Sequence, residues 1–145
     1  TYKSKINNIN IQLIDQSYNA NPETMIQSIR NFSKINNKKY QTILILGEMN
    51  ELGLDELKFH YLVIKEITQH VFDNVILSGD LFKKALKKFP NFKNKFIHKS
   101  SSKSIMTYLE KNLHKKAMIM TKCSNATEVN KFVTLLKLEK KDKIV

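Results

Sequence analysis

The 145-residue sequence contains one cysteine, one arginine, two prolines, three glycines and no tryptophan. A lone Cys123 excludes an internal disulfide and leaves no second thiol for a structural zinc site, in keeping with a reducing compartment. No apolar run approaches the ~18 residues of a membrane span, and the first residues lack the apolar stretch of a secretory signal. A cytoplasmic protein without membrane association is therefore expected. Neither a GxxxxGK(S/T) phosphate loop nor a GxGxxG fingerprint occurs, so the chain by itself reads as neither an ATPase nor a dehydrogenase. His60, His70, His98 and His114 are scattered without ligand spacing or an evident nucleophile beside them. That pattern predicts no metal site and no catalytic residue within this chain.

The scarcity of arginine also bears on charge. The formal net charge is +12, and clustered cations gain affinity for nucleic acid by releasing condensed counterions. Yet Arg30 alone among 25 basic residues carries the planar fork suited to phosphate and base recognition. Abundant lysine, asparagine and isoleucine are what AT-rich codons produce without selection for a ligand. No nucleic-acid partner is expected, and the chain is expected to be a monomer.

What is present is a repeating grammar. Short β-branched or apolar runs at residues 9–14, 42–46, 74–77, 96–98 and 117–120 alternate with segments of helical periodicity. Asn21 followed by Pro22 marks a helix start, and Met25, Ile26, Ile29 and Phe32 make its apolar stripe. A second helix after Gly53 aligns Phe59, Leu62, Val63 and Ile67, and a third spans residues 81–89 before Pro90. A fourth carries Ile105, Met106, Leu109 and Leu113. The last starts with Asn125 and Glu128 spaced as a capping box and buries Val129, Phe132, Val133 and Leu136. The first eight residues read as the remains of a connection, and residues 143–145 can add a short edge strand.

Strands joined through helices run parallel, and right-handed crossovers cover both sheet faces. The expected fold is α/β, a Rossmann-like three-layer sandwich with a mostly parallel sheet of five or six strands, formed by residues 1–145 as one domain. Ligands of such sheets gather beyond the carboxyl ends of the strands, which selects three loops. The first, Asp15-Gln16-Ser17-Tyr18-Asn19-Ala20-Asn21-Pro22, places polar groups before a helix start. It suits an anion, or equally a turn that merely caps the helix. The second, Gly47-Glu48-Met49-Asn50-Glu51-Leu52-Gly53, has two of the three glycines, and its carboxylates suit a cation, an amine or plain solvent. The third, Thr121-Lys122-Cys123-Ser124-Asn125, offers a cation, a hydroxyl and amides that can hold a carboxylate.

At these loops the sequence resembles the UDP-N-acetylmuramoyl-tripeptide:D-alanyl-D-alanine ligases of the Mur ligase family. Asp15 to Pro22 match a DDSYNANP-like motif, Leu46 to Gly53 an LGDMxELG-like motif, His60 a histidine in the next helix, and Lys122 to Ser124 a KGS-type loop. The resemblance spans residues 9 to about 137 in the family's motif order. It implies the C-terminal domain of an ATP-dependent enzyme that joins D-alanyl-D-alanine to UDP-N-acetylmuramoyl-tripeptide through an acyl phosphate. ATP and Mg2+ would be bound mainly by a central domain which, like the amino-terminal one, lies outside this chain. The domain would act as a lid that excludes water, and alone would be inactive.

Nucleotide- or substrate-binding roles then fall to Asp15, Gln16, Ser17, Tyr18, Asn19, Asn21, Glu48, His60, Lys122 and Ser124, with Lys122 and Ser124 serving the dipeptide carboxylate. Gln16 stands in place of a second aspartate, weakening the expected ribose contact. Glu48 replaces an aspartate, and Cys123 replaces a glycine near the presumed carboxylate pocket. Two other readings stay open: a related amide ligase domain with a different amino-acid substrate, and a basic module binding nucleic acid through the lysines of residues 81–99.

Overall fold

The computed structural model describes residues 1–17, 19–35, 38–92 and 95–142, the last four by backbone alone. Six strands form one sheet: β1 (Tyr2–Ile6), β2 (Ile9–Gln16), β3 (Gln41–Leu46), β4 (Asn74–Leu77), β5 (Phe96–His98) and β6 (Ala117–Lys122), in the order β1-β2-β6-β3-β4-β5. All pairs are parallel except β1 with β2. The α/β expectation therefore holds, with six strands.

The sixth described strand comes from a segment the sequence did not read as a strand. The first residues, read as a connection, form β1 and fold back on β2 through Asn7 and Asn8, both with positive φ (50° and 67°). Asparagine tolerates that conformation, which gives a two-residue turn the twist a hairpin needs. The alternative edge strand at residues 143–145 lies outside the described residues. β2 and β6 each run two residues beyond their apolar runs, because Asp15 pairs with Thr121 and Gln16 with Lys122. Main-chain pairing continues where hydrophobic alternation has stopped.

Five helices, α1 (Pro22–Ser33), α2 (Glu56–Ile67), α3 (Asp80–Leu86), α4 (Ser102–Asn112) and α5 (Glu128–Asp142), cover the two faces. From β2 through β5 the chain steps across the sheet in one direction, then returns through α4 to place β6 between β2 and β3. Crossovers of one hand put α1, α2 and α3 on one face and α4 and α5 on the other. Strand alternation shows in the two cores. Leu44 and Leu46 pack with Met25, Ile29, Val63 and Phe82, whereas Ile43 and Ile45 pack with Ile105, Leu109, Phe132 and Leu136.

Three helix expectations are corrected. In α2 the buried stripe is His60, Val63, Ile64 and Ile67, while Leu62 is 39% exposed. The helix is rotated because a histidine with both ring nitrogens satisfied can take a core position. In α5 the cap is Thr127 rather than Asn125: the Thr127 hydroxyl accepts from the Asn130 amide at 3.4 Å, after a turn at Ala126 (φ 59°) that uses up the preceding residues. Helix α3 ends at Leu86, and Pro90 instead opens a 3-10 turn, Pro90–Phe92. α4 carries a capping box of Ser101 with Ser104 that the apolar stripe did not reveal.

Candidate functional site

β2, β6 and β3 lie side by side, with Gln16, Lys122 and Leu46 level at their carboxyl ends. The three loops selected from the sequence thus emerge from neighbouring strands on one edge. Loops leaving β3 and β4 lead to helices on one face, and those leaving β5 and β6 to helices on the other. The chain parts in opposite directions and leaves a cleft above the strand ends. This cleft, about 370 Å³, is lined by Gly47, Glu48, Asn50, Ser78, Gly79, Asp80, His98, Ser100 and residues 126–128. A larger cavity of about 630 Å³ lies at the opposite edge near Phe72, Phe92, Phe96 and Tyr108. There the Asn74 amide and the Tyr108 hydroxyl bond each other, and no loop selected from the sequence reaches it.

The walls of the cleft are held by a compact set of bonds. The Gly47 amide donates to the Lys122 carbonyl at 2.9 Å, extending the ladder between β3 and β6 past the last strand residue. The Ser124 amide donates to the Glu48 carbonyl at 3.0 Å, and the Asn50 amide to the Ser124 hydroxyl oxygen at 2.8 Å. The second and third loops are thereby stapled together. Glu48 reaches across the cleft, its Oε1 accepting from the Leu81 amide at 2.9 Å in the first turn of α3. Glycine is required beneath it: a Cβ on Gly79, whose φ is 104°, would stand 2.2 Å from Glu48 Cγ. On the far wall Glu128 accepts from the Ser102 amide at 3.0 Å and pairs with Lys131. That bond with Lys131 holds the Glu128 carboxyl below its ordinary range. His98 donates from Nε2 to the Gly79 carbonyl at 2.9 Å. Three carboxylates, Glu48, Asp80 and Glu128, therefore face one cleft of a chain with net charge +12. Together with the hydroxyls of Ser78, Ser100 and Thr127 they suit an ammonium group.

The first loop is largely self-satisfied. Asp15 accepts from both the amide and the hydroxyl of Ser17, and its other oxygen takes Lys137 Nζ at 2.6 Å. Burial pushes its carboxyl up, but the bonds from Lys137 and Ser17 outweigh this and leave it below its ordinary value. Gln16 Oε1 accepts from the Ser28 hydroxyl at 2.6 Å. Asn21 caps α1, its Oδ1 accepting from the Thr24 amide at 2.9 Å while its carbonyl takes the Met25 amide. Pro22 has no amide hydrogen, so Glu23, an acidic residue, supplies the remaining free amide of this turn. The helix start is capped by its own side chains. Asn19 is exposed, its carbonyl accepting from Lys122 Nζ at 3.1 Å. Tyr18 lies outside the described residues.

Of the other expected residues, Glu48 lines the cleft and Ser124 braces its wall while only 8% exposed. Lys122 is 6% exposed and points toward the first loop, outside the cleft lining. Among the described residues it forms no ion pair, and burial lowers its pKa. His60 is 0% exposed and reaches the cleft wall through the Met49 amide. The Cys123 side chain enters the core, where a Cβ on Gly47 would approach it to 2.7 Å. Ser78, Gly79, Asp80, His98, Ser100, Thr127 and Glu128 were missed. The carboxyl-end rule applied to all five parallel strands, with Gly79 following β4, points to most of them. No group of three or more histidine, cysteine or acidic residues able to hold a metal occurs among the described residues. Nor is any helix among them long and apolar enough to cross a membrane.

Comparison with known proteins bears on the family and the fold. Residues 4–125 fit the family model of the Mur ligase, glutamate ligase domain. A UDP-N-acetylmuramoyl-tripeptide--D-alanyl-D-alanine ligase of Buchnera aphidicola subsp. Acyrthosiphon pisum (strain APS) is 32% identical over 134 residues, covering 90% of this chain and 28% of the relative. The MurF ligase of Thermotoga maritima, solved in complex with ADP, superposes with a TM-score of 0.71 at 22% identity, over 97% of this chain and 31% of that one. MurF from Acinetobacter baumannii gives 0.71 at 17% identity, over 93% and 29%. These solved structures share the fold. The chain spans less than a third of the length of each relative, and by its match over most of its residues it belongs to the Mur ligase, glutamate ligase domain family.

Proposed function

We propose that this chain is the C-terminal domain of an ATP-dependent ligase that joins D-alanyl-D-alanine to UDP-N-acetylmuramoyl-tripeptide in peptidoglycan synthesis. The observation that carries this reading is the acidic cleft at the carboxyl edge, walled by the two motif-bearing loops stapled through Ser124. Glu48 and Asp80 receive the dipeptide's ammonium end there. Lys122 and Ser124, assigned by resemblance to the dipeptide carboxylate, act on it by fixing Asn19 and Asn50.

Among the described residues no group of histidine, cysteine or acidic side chains is able to hold a metal, and Mg2+ and the ATP phosphates are assigned mainly to the rest of the ligase. Among the described residues of the first loop, the exposed Asn19 is placed to reach a nucleotide. When bound, ATP supplies the phosphoryl group that activates the acceptor carboxylate. This domain holds the dipeptide's amino end, which must shed its ammonium proton before attack, and shields the reaction from water.

In the complete ligase, Asp80→Asn is expected to raise the KM for D-alanyl-D-alanine by about tenfold or more, equivalent to ~1.4 kcal/mol of lost binding, with the KM for ATP little changed. An unchanged dipeptide KM overturns the cleft assignment.

A further inference from the structure

His60 contacts no open space, yet it is tied to the cleft by one directional bond. Its Nδ1 lies 2.7 Å from the Glu56 carbonyl one helical turn back, an atom that can only accept. Nδ1 therefore carries the proton, and Nε2 presents a lone pair to the Met49 amide at 3.1 Å. Phe82 of α3 packs edge-on against the ring at 4.7 Å, which fixes its plane. Met49 stands between Glu48 and Asn50, two residues of the cleft wall. Its own side chain is buried in the core on the α2 face. The loop is thus fastened on three sides: to β6 and its loop through Lys122 and Ser124, to α3 through Glu48, and to α2 through the His60 ring and the buried Met49 side chain.

We infer that His60 is a positioning residue, which through its Nε2 bond to the Met49 amide sets the placement of Glu48 and Asn50 and hence affinity for the amine substrate. This rests on the cleft being the amino-acid site. Without the bond the Met49 amide is buried with no acceptor, and the segment between Gly47 and Gly53 must shift to find one. Such a shift moves Glu48 away from Leu81 and widens the cleft. The chemical step is untouched, because His60 meets no reacting atom.

Kinetics of the complete ligase test this with three variants. His60→Phe keeps a ring of similar size but offers no acceptor. It is expected to raise the KM for D-alanyl-D-alanine about tenfold, with kcat and the KM for ATP within about twofold of wild type. His60→Gln, whose amide oxygen can accept from Met49, is expected to recover most of that loss. Equal losses in both variants, or a fall in kcat alone, overturn the inference. Asp80→Asn separates the two levels of the reading. If it weakens dipeptide binding while His60→Phe does not, the positioning role fails and the cleft stands. If neither has an effect, the cleft assignment itself fails. Should His60→Phe not fold, nitrogen-15 spectra of the imidazole in this chain decide. A protonated Nδ1 and bare Nε2 are expected, and an Nε2-protonated ring overturns the inference.

Discussion

Thr121 lies near the end of β6 with no exposed surface, and its hydroxyl has no hydrogen-bond partner among the described residues. Its neighbours along the strand show what such burial demands. Lys122, pointing to the other face, keeps one carbonyl within reach, and burial lowers its pKa. Asp15, paired with Thr121 across the ladder, has both carboxylate oxygens occupied. An unpaired hydroxyl costs about 1–3 kcal/mol relative to water, whereas valine has nearly the same shape and a higher preference for strands. Thr121→Val is therefore expected to raise stability by about 1 kcal/mol, read as a higher urea midpoint at unchanged slope. A lower midpoint would show that the hydroxyl has a partner in solution.

Helix starts, not helix interiors, make this edge of the molecule. α1 opens with Asn21 and Thr24 bonding each other's backbone, and α4 with Ser101 and Ser104 doing the same. Both caps use polar side chains that would otherwise be free to contact a ligand. Asn21→Ala should therefore destabilise the chain by about 1 kcal/mol in urea denaturation, and Asn21→Asp, which retains the acceptor oxygen, should not. If Asn21→Ala leaves stability unchanged, the cap contributes nothing and the side chain is available to substrate. α2 shows the reverse arrangement. His60 occupies a position where periodicity favours an aliphatic residue, because it serves a loop outside its own helix. Patterning of single elements locates stripes, but it does not reveal what a polar member of a stripe is bonded to.

The whole molecule is two cores separated by one sheet, and Cys123 belongs to the core beneath α4 and α5. Burial pushes its thiol up to about 11, and its side chain has no exposed surface. Both facts make it inert in the folded chain below that pH, since the thiolate is the reactive form. Labelling by a disulfide reagent at pH 8 is thus expected to be slower than in the denatured chain by roughly 10³-fold or more, the factor set by ordinary domain stabilities. Fast labelling would instead show that the segment between β6 and α5 opens locally without global unfolding.

Sequence alone determined the layer architecture, because alternating strand and helix periods with single-sided helix stripes have few packed solutions. It also determined that the motif-bearing loops share one edge, since parallel strands all end on the same side. Tertiary structure alone decided what those loops do with their side chains. Asp15, Gln16 and Asn21 bond their own surroundings, Cys123 turns inward, and His60 lies buried beneath the cleft. The carboxylates Asp80 and Glu128 line the same cleft as Glu48 because the strand order puts β4 and β6 on either side of β3 after long excursions in sequence. Periodicity records which face a residue prefers. Partners 30 or more residues away are fixed by strand order, and strand order is settled when the whole sheet packs.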